Sequence, residues 1–202
     1  TEQHAFQYEG GNLSTHTVNY VGADGSLWAS KSLDYSANAF APDFRLDDQR
    51  DGYVEGGELT DERYRLYRVK DGEDGEKVVE MTEDTVVDAG FDTFVRTNLE
   101  ALLADEVEKI RLAIPSNLIR LKFRVKKIGE EELFGLRAVQ FKVEPASLLR
   151  LLADAIYITY DVASGRLLRY EGLTNIRNAK GQRYDARIDF KPEGYVESPG
   201  TP

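Results

Sequence analysis

Histidine is the first side chain to consider for acid–base or metal chemistry, and this chain has only two. His4 and His16 fall in alternating, strand-like segments, and no third ligand stands at a recognisable metal-site spacing. The chain has no cysteine, which excludes disulfides, thiolate metal sites and thiol chemistry. We therefore predict no metal site and no cofactor, and we interpret both histidines as ordinary strand residues.

The segment DDQRDGYVEGGE (47–58) superficially matches a calcium-binding loop. Asp47, Gly52 and Glu58 fall at loop positions one, six and twelve. However, Gln49 stands at position three, where a carboxylate or Asn is expected, and both flanks are typical of extended chain rather than of helices. We interpret the segment as an acidic hairpin turn that does not bind calcium.

Nucleophilic catalysis has little support in the sequence. Ser14, Ser116 and Ser164 lie outside any G-x-S-x-G context, and no phosphate-binding loop or dinucleotide fingerprint occurs. We predict a protein that is not an enzyme, with an unrecognised hydrolase as the remaining catalytic alternative.

Basic residues form a stripe on the polar positions of three strands that we expect to be adjacent. Its members are Lys109, Arg111, Arg120, Lys122, Arg124, Lys126 and Lys142. Two interpretations stay open: a solvated face paired with acidic residues from elsewhere, or a docking surface for an anionic partner or an anionic membrane surface.

The net charge of −10 argues against broad nucleic-acid binding, because phosphate repels an acidic surface. The charge is uneven. Residues 1–106 carry 24 acidic and 9 basic side chains, and residues 107–202 carry 12 acidic and 17 basic ones. The two parts therefore differ in sign, −15 against +5, which predicts a dipolar molecule.

The elements that must position these residues are mostly strands, because the dominant period is two. In LIRLKFRVKK (118–127), apolar and basic residues alternate, and 137–144, 155–162 and 184–190 repeat this pattern. Such alternation is typical of an antiparallel sheet with one solvated face. Turn signals such as GADGS (22–26) separate the alternating segments.

Two amphipathic helices interrupt the strands. Residues 91–105 place Phe94, Val95 and Leu102 on one side, and a second helix is predicted over 145–153, beginning at Pro145. The second helix presents leucines at 148, 149, 151 and 152 and must lie on an apolar surface. We interpret the segment around 50–61 as a mobile loop.

These elements predict a mainly β fold with a few helices. We expect one curved antiparallel sheet, forming a half-barrel or incomplete barrel, with two or more short helices covering its concave face. A single domain over 1–191 and a flexible tail over 192–202 are predicted.

The apolar face of this sheet is either a filled core or the lining of a cavity, and the sequence leaves both open. If it is a cavity, the predicted ligand-binding residues are Phe123, Phe141, Leu148, Leu149, Leu152 and Tyr160.

Several segments of residues 87–190 carry a family resemblance. VDAGFDTFVRTNLEALLADE (87–106), IPSNLIRLKFRVKKIGEEELFG (114–135), YDVASGRLLRYEG (160–172) and LTNIRNAKGQRYDARIDF (173–190) resemble a group of bacterial envelope proteins of unknown function. The resemblance implies a removed signal sequence, a periplasmic location and a fold similar to the half-barrel of lipoprotein carriers. It implies no catalytic residue.

The leading functional hypothesis is therefore a periplasmic protein that binds or carries a lipid, an acyl chain or another hydrophobic ligand. The alternative is an envelope interaction or assembly module with a solid core, which acts through its charged surface. No segment approaches the roughly 18 apolar residues of a membrane-spanning helix.

Overall fold

The structure is a computed structural model that describes residues 1–146 and 155–194. The chain forms two compact units. The first contains Thr1–Thr97 and Lys109–Lys122, and the second contains Asn98–Glu108 and Phe123–Pro202. The single domain predicted over 1–191 stays a prediction.

Seven strands in the first unit form one antiparallel sheet in sequence order. They are β1 (Glu2–Glu9), β2 (Asn12–Val21), β3 (Leu27–Asp34), β4 (Asp43–Asp48), β5 (Tyr53–Thr60), β6 (Arg63–Lys70) and β7 (Glu73–Glu80). Tight turns at Gly10–Gly11, Asp61 and Asp71–Gly72 join several neighbours, and these residues have positive φ angles. Gly, Asp and Asn tolerate such angles best, so the turn residues set this meander.

The second sheet has the strand order β14-β13-β12-β11-β10-β9-β8. Its strands are β8 (Thr85–Val87), β9 (Glu108–Ile114), β10 (Ile119–Leu133), β11 (Leu136–Pro145), β12 (Ile156–Asp161), β13 (Leu167–Arg177) and β14 (Arg183–Asp189). Strands β8 and β9 pair in parallel. A parallel pair needs a crossover connection, and α1 (Gly90–Thr97) and α2 (Leu99–Leu103) lie within it.

The mainly β prediction with few helices is confirmed, but the strands form two sheets where one was expected. The first sheet ends after β7, where Thr82 N donates to Thr85 Oγ1 (3.0 Å) and closes a turn. The chain then begins a new ladder at β8. Alternation along a strand reveals its faces but not its neighbours, so the period-two pattern could not show this break.

The predicted helix over 91–105 is confirmed as the two short helices α1 and α2. Pro145, where the second helix was predicted to begin, is instead the last residue of β11 and pairs with Phe123. The rest of that predicted helix falls largely on residues 147–154, which lie outside the described residues.

The prediction of a loop around 50–61 is wrong, because most of this segment is strand β5. Its residues Tyr53, Val54, Glu55, Gly56 and Gly57 are all buried. A Cβ at Gly56 would lie 2.4 Å from Tyr67 Oη, and one at Gly57 would lie 2.2 Å from Tyr64 Cε1. The two glycines therefore let tyrosine rings pack directly on the strand backbone.

The core of the first unit surrounds these rings. Its buried members include Leu33, Tyr35, Phe44, Tyr64 and Leu66. The hydroxyl of Tyr64 donates to the carbonyl oxygen of Pro42 at 2.6 Å, which satisfies the polar end of a fully buried ring.

Candidate functional site

The aromatic half of the predicted apolar site lies in the second unit, on β10, β11 and β12. Phe123, Phe141 and Tyr160 have exposed fractions of 5%, 0% and 1%. The ring centroids of Phe141 and Tyr160 are 6.1 Å apart, at a tilt of 53°. The other three predicted members lie outside the described residues; they are Leu148, Leu149 and Leu152. The described members are packed side chains, and the helical part of the site stays a prediction.

The calcium-like segment 47–58 folds as the hairpin of β4 and β5, in which Asp48 pairs with Tyr53. Asp48 is buried and accepts hydrogen bonds from Arg50 Nε (2.9 Å) and Nη2 (2.7 Å). Asp51 Oδ1 accepts from Tyr53 N at 3.1 Å. Within residues 1–146 and 155–194, no group of three or more His, Asp or Glu is placed to hold a metal ion.

The predicted basic stripe divides between the two units. Lys109, Arg111, Arg120 and Lys122 belong to the first unit, and Arg124, Lys126 and Lys142 belong to the second. In the first unit Arg111 forms an ion pair with Asp84, and Arg120 donates to the carbonyl oxygen of Glu80. Arg111 is therefore paired with an acidic residue, whereas Arg120 meets a backbone carbonyl, and the choice between a solvated face and a docking surface stays open.

In the second unit, three cations converge on one carboxylate. Arg124 Nη2 and Lys126 Nζ lie 2.8 and 3.1 Å from Glu144 Oε1, and Lys142 Nζ lies 2.9 Å from Glu144 Oε2. We call Arg124, Lys126, Lys142 and Glu144 the basic cluster. The carboxylate is 8% exposed, whereas the three cations are 28–37% exposed. The cluster therefore presents cations to solvent around a buried anion.

Register explains the geometry of the basic cluster. Arg124 pairs with Glu144, and Lys126 pairs directly with Lys142 across β10 and β11. Like charges opposite each other destabilise a sheet unless an anion lies near them. Hydrogen bonds from Lys142 and Lys126 outweigh the effect of burial and lower the pKa of Glu144 to about 2. The basic cluster thus consists of three cations around one carboxylate.

A second polar cluster lies in the first unit on β1 and β2. His4 Nδ1 is 2.9 Å from His16 Nε2, and His4 Nε2 is 3.0 Å from Glu2 Oε2. Phe6 stacks on His16 with ring centroids 4.2 Å apart. We call Glu2, His4 and His16 the histidine chain. It links two partly exposed side chains to a histidine that is 6% exposed.

The histidine chain adjoins a buried ion pair. Lys31 Nζ on β3 lies 2.7 Å from Asp88 Oδ1, with side chains 9% and 6% exposed. Burial by itself would lower the pKa of Lys31, but the charge of Asp88, the hydrogen bond to it and the nearby Tyr20 and Glu2 together outweigh burial and raise that pKa. Burial, followed by the charge of Lys31, lowers the pKa of His16 to about 3, so this imidazole is neutral near pH 7.

A β-bulge explains why the sequence did not predict the histidine chain. The turn at Gly10–Gly11 places Glu9 opposite Asn12, and this register alone would put His4 and His16 on opposite faces. The register shifts between Gln7 and Tyr8, so that Phe6 pairs with His16. That one-residue shift brings both histidines to the same face. His4 and His16 both stand at even-numbered positions, and this was the only signal in the sequence that their side chains share a face.

Comparison with known proteins found no matching family model, no matching curated protein and no matching solved structure. Among the described residues, no helix is long and apolar enough to cross a membrane.

Proposed function

We propose that this protein is a non-catalytic binding module that docks an acidic polypeptide through the basic cluster on β10 and β11. The single observation that carries the proposal is the convergence of Arg124, Lys126 and Lys142 on Glu144. The proposal corresponds to an interaction module with a solid core that acts through its charged surface.

The arrangement supports carboxylates as the recognised groups. Glu144 already demonstrates the geometry, because its two oxygens accept from Lys126 and Lys142 at 3.1 and 2.9 Å. Arg124 contributes Nη2 to this contact. A planar guanidinium suits carboxylate recognition, and the Arg124 side chain is 32% exposed.

An acidic polypeptide suits the cluster better than an anionic membrane does. Membrane recognition by basic segments generally uses clusters of about four to eight Lys or Arg residues. The basic cluster has three cations, and a buried carboxylate lies between them. The cations also sit on the pleated surface of a sheet, where side chains of neighbouring strands stand about 5 Å apart. Arg124 and Lys126 stand two residues apart on β10, roughly 6.6 Å, and alternate carboxylates of an extended acidic segment have the same separation.

The hydrophobic-ligand carrier stays a prediction. The packing of Phe123, Phe141 and Tyr160 favours a filled core in the described part of the second unit. The periplasmic location and the family resemblance also stay predictions.

Fluorescence anisotropy with a fluorescein-labelled poly-glutamate peptide tests the proposal. We expect binding at low ionic strength that weakens steeply with added salt, because salt screens partly exposed charges. The double variant Lys126→Gln and Lys142→Gln should reduce the affinity on the order of tenfold, which corresponds to about 1.4 kcal/mol. Thermal melting of each variant checks that the fold is retained.

A matched control removes the same charge elsewhere. Lys180→Gln and Lys191→Gln change two exposed lysines outside the cluster and should leave most of the binding intact. If both double variants lost peptide affinity equally, the proposal would be overturned. So would binding to vesicles of phosphatidylcholine and phosphatidylglycerol without binding to the peptide. Lipid retained in native mass spectrometry, with fluorescent fatty acid uptake and no peptide binding, would favour the carrier.

A further inference from the structure

The histidine chain has a defined direction of hydrogen bonding, because its carboxylate can only accept. Glu2 Oε2 faces His4 Nε2 at 3.0 Å, so His4 must carry its hydrogen on Nε2. In a neutral His4 the other nitrogen, Nδ1, is then an acceptor. The 2.9 Å contact with His16 consequently requires His16 Nε2 to be the donor.

Adding one proton reverses this contact. A charged His4 donates from both nitrogens, so its Nδ1–H needs an acceptor, and His16 Nε2 can accept only when His16 carries its hydrogen on Nδ1. The proton count balances if water supplies one proton to His16 Nδ1. The proton between the rings then crosses from His16 Nε2 to His4 Nδ1.

The surroundings allow one proton on the pair and oppose a second. On β1, the carboxylate of Glu2 stabilises a charge on His4. His16 instead faces Lys31 of β3, which is itself paired with Asp88 beyond β8. The Tyr20 side chain on β2 lies beside Lys31 and is held neutral by burial, which raises its pKa to about 12. A second imidazolium at His16 would thus lie buried between two cations.

We propose that Glu2, His4 and His16 form a one-proton switch, in which proton uptake by the pair places the charge on His4 and exchanges the tautomer of His16. The switch lies in the first unit and goes beyond the binding function proposed for the second. In the charged state both hydrogen bonds of His4 involve an ion, and such bonds are about twice as strong as neutral ones. Proton uptake therefore holds β1, an edge strand of its sheet, more firmly to β2.

Nuclear magnetic resonance of the imidazole nitrogens tests the switch directly, since the chain has only two histidines. A His4→Gln variant assigns the signals. At high pH we expect both rings to be neutral with hydrogen on Nε2. As the pH falls, His4 should become doubly protonated, while His16 stays neutral and moves its hydrogen to Nδ1 in the same titration step.

Charge variants on β1 provide the control. Glu2→Gln removes the carboxylate that accepts from His4 Nε2, so the tautomer exchange should move to lower pH. Glu9→Gln, at the exposed far end of the same strand, should leave the pH of the tautomer exchange unchanged. The proposal fails if His16 becomes doubly protonated together with His4, or if its tautomer is constant throughout. It also fails if the two charge variants shift the step equally.

Discussion

At the scale of single residues, the buried pair of Lys31 and Asp88 is the least expected feature of the first unit. An isolated charge inside a protein is costly, and a pair is tolerated only with good geometry. The 2.7 Å contact supplies that geometry. Asp88 has a φ of 44°, and its Oδ1 also accepts from Ala89 N at 2.7 Å. A short polar side chain tolerates such a backbone angle, which explains an acidic residue at this position.

Removing one partner of this pair should destabilise the protein strongly. Lys31→Met leaves the Asp88 carboxylate buried without its cation, and we expect a loss of about 3–5 kcal/mol in the free energy of unfolding. Urea unfolding at pH 7 measures the loss. Because the folded pKa of Lys31 is raised, the stabilisation from the lysine charge is fully present at pH 7 and up to the unfolded lysine value of 10.5. The contribution is lost only as pH rises through the higher folded value.

The double variant Lys31→Met and Asp88→Asn supplies the control, because it removes both charges and keeps a residue that tolerates positive φ. It should recover a large part of the stability lost in Lys31→Met. If the two sites were independent, the double variant would be less stable than Lys31→Met by the full loss that Asp88→Asn causes alone. That result would contradict a coupled pair.

At the scale of elements, the sequence predicted most strands because their faces differ in polarity. Strands β10, β11 and β12 alternate apolar and polar residues, and they overlap the predicted segments 118–127, 137–144 and 155–162, although β10 continues to Leu133. Strand β8 has only three residues, which is too short for a period to appear. Strand β5 was missed because GG at 56–57 is a turn signal, whereas here it admits two tyrosine rings.

Packing against these glycines gives the prediction at this scale. Gly57→Ala would place a Cβ 2.2 Å from Tyr64 Cε1, and the hydrogen bond from Tyr64 to Pro42 restrains that ring. We expect a loss of about 1–3 kcal/mol, as is typical of overpacked cores. Chemical denaturation measures it.

A glycine in another strand is the matched control. A Cβ added at Gly129 in β10 would meet nothing within 4 Å, and this glycine has no positive φ. Gly129→Ala should therefore change stability little or raise it slightly, because alanine lowers the entropy of the unfolded chain. Similar losses for both substitutions would mean that glycine flexibility, and not the Tyr64 ring, decides the effect.

At the scale of the whole molecule, the candidate sites were only partly predictable. The alternation of apolar and polar residues identified the cations on the polar face, because this inference needs only the period of one strand. They are Arg124, Lys126 and Lys142. Their convergence on Glu144 depends on the pairing of Lys126 with Lys142 and of Arg124 with Glu144. That register follows from an irregularity between Lys127 and Gly129, which composition does not reveal.

We expect both units to unfold together because of the path of the chain between them. The chain passes from one unit to the other after residues 97, 108 and 122. The last passage falls inside β10, which runs unbroken from Ile119 to Leu133. A strand that loses its ladder in one unit loses an anchor for its remaining residues. We therefore expect one cooperative transition, in accord with the single domain predicted over 1–191.

Two probes and two variants test this cooperativity. Trp28 is the only tryptophan and lies in the first unit, so its fluorescence follows that unit, whereas far-ultraviolet circular dichroism follows both. The urea transitions of the two probes should coincide.

Gly57→Ala in the first unit and Val139→Ala at a fully buried position in the second should each move both transitions by the same amount. If Val139→Ala moves the dichroism transition and leaves the Trp28 transition unchanged, the units are separate domains, because only independent folding confines a destabilisation to one of them.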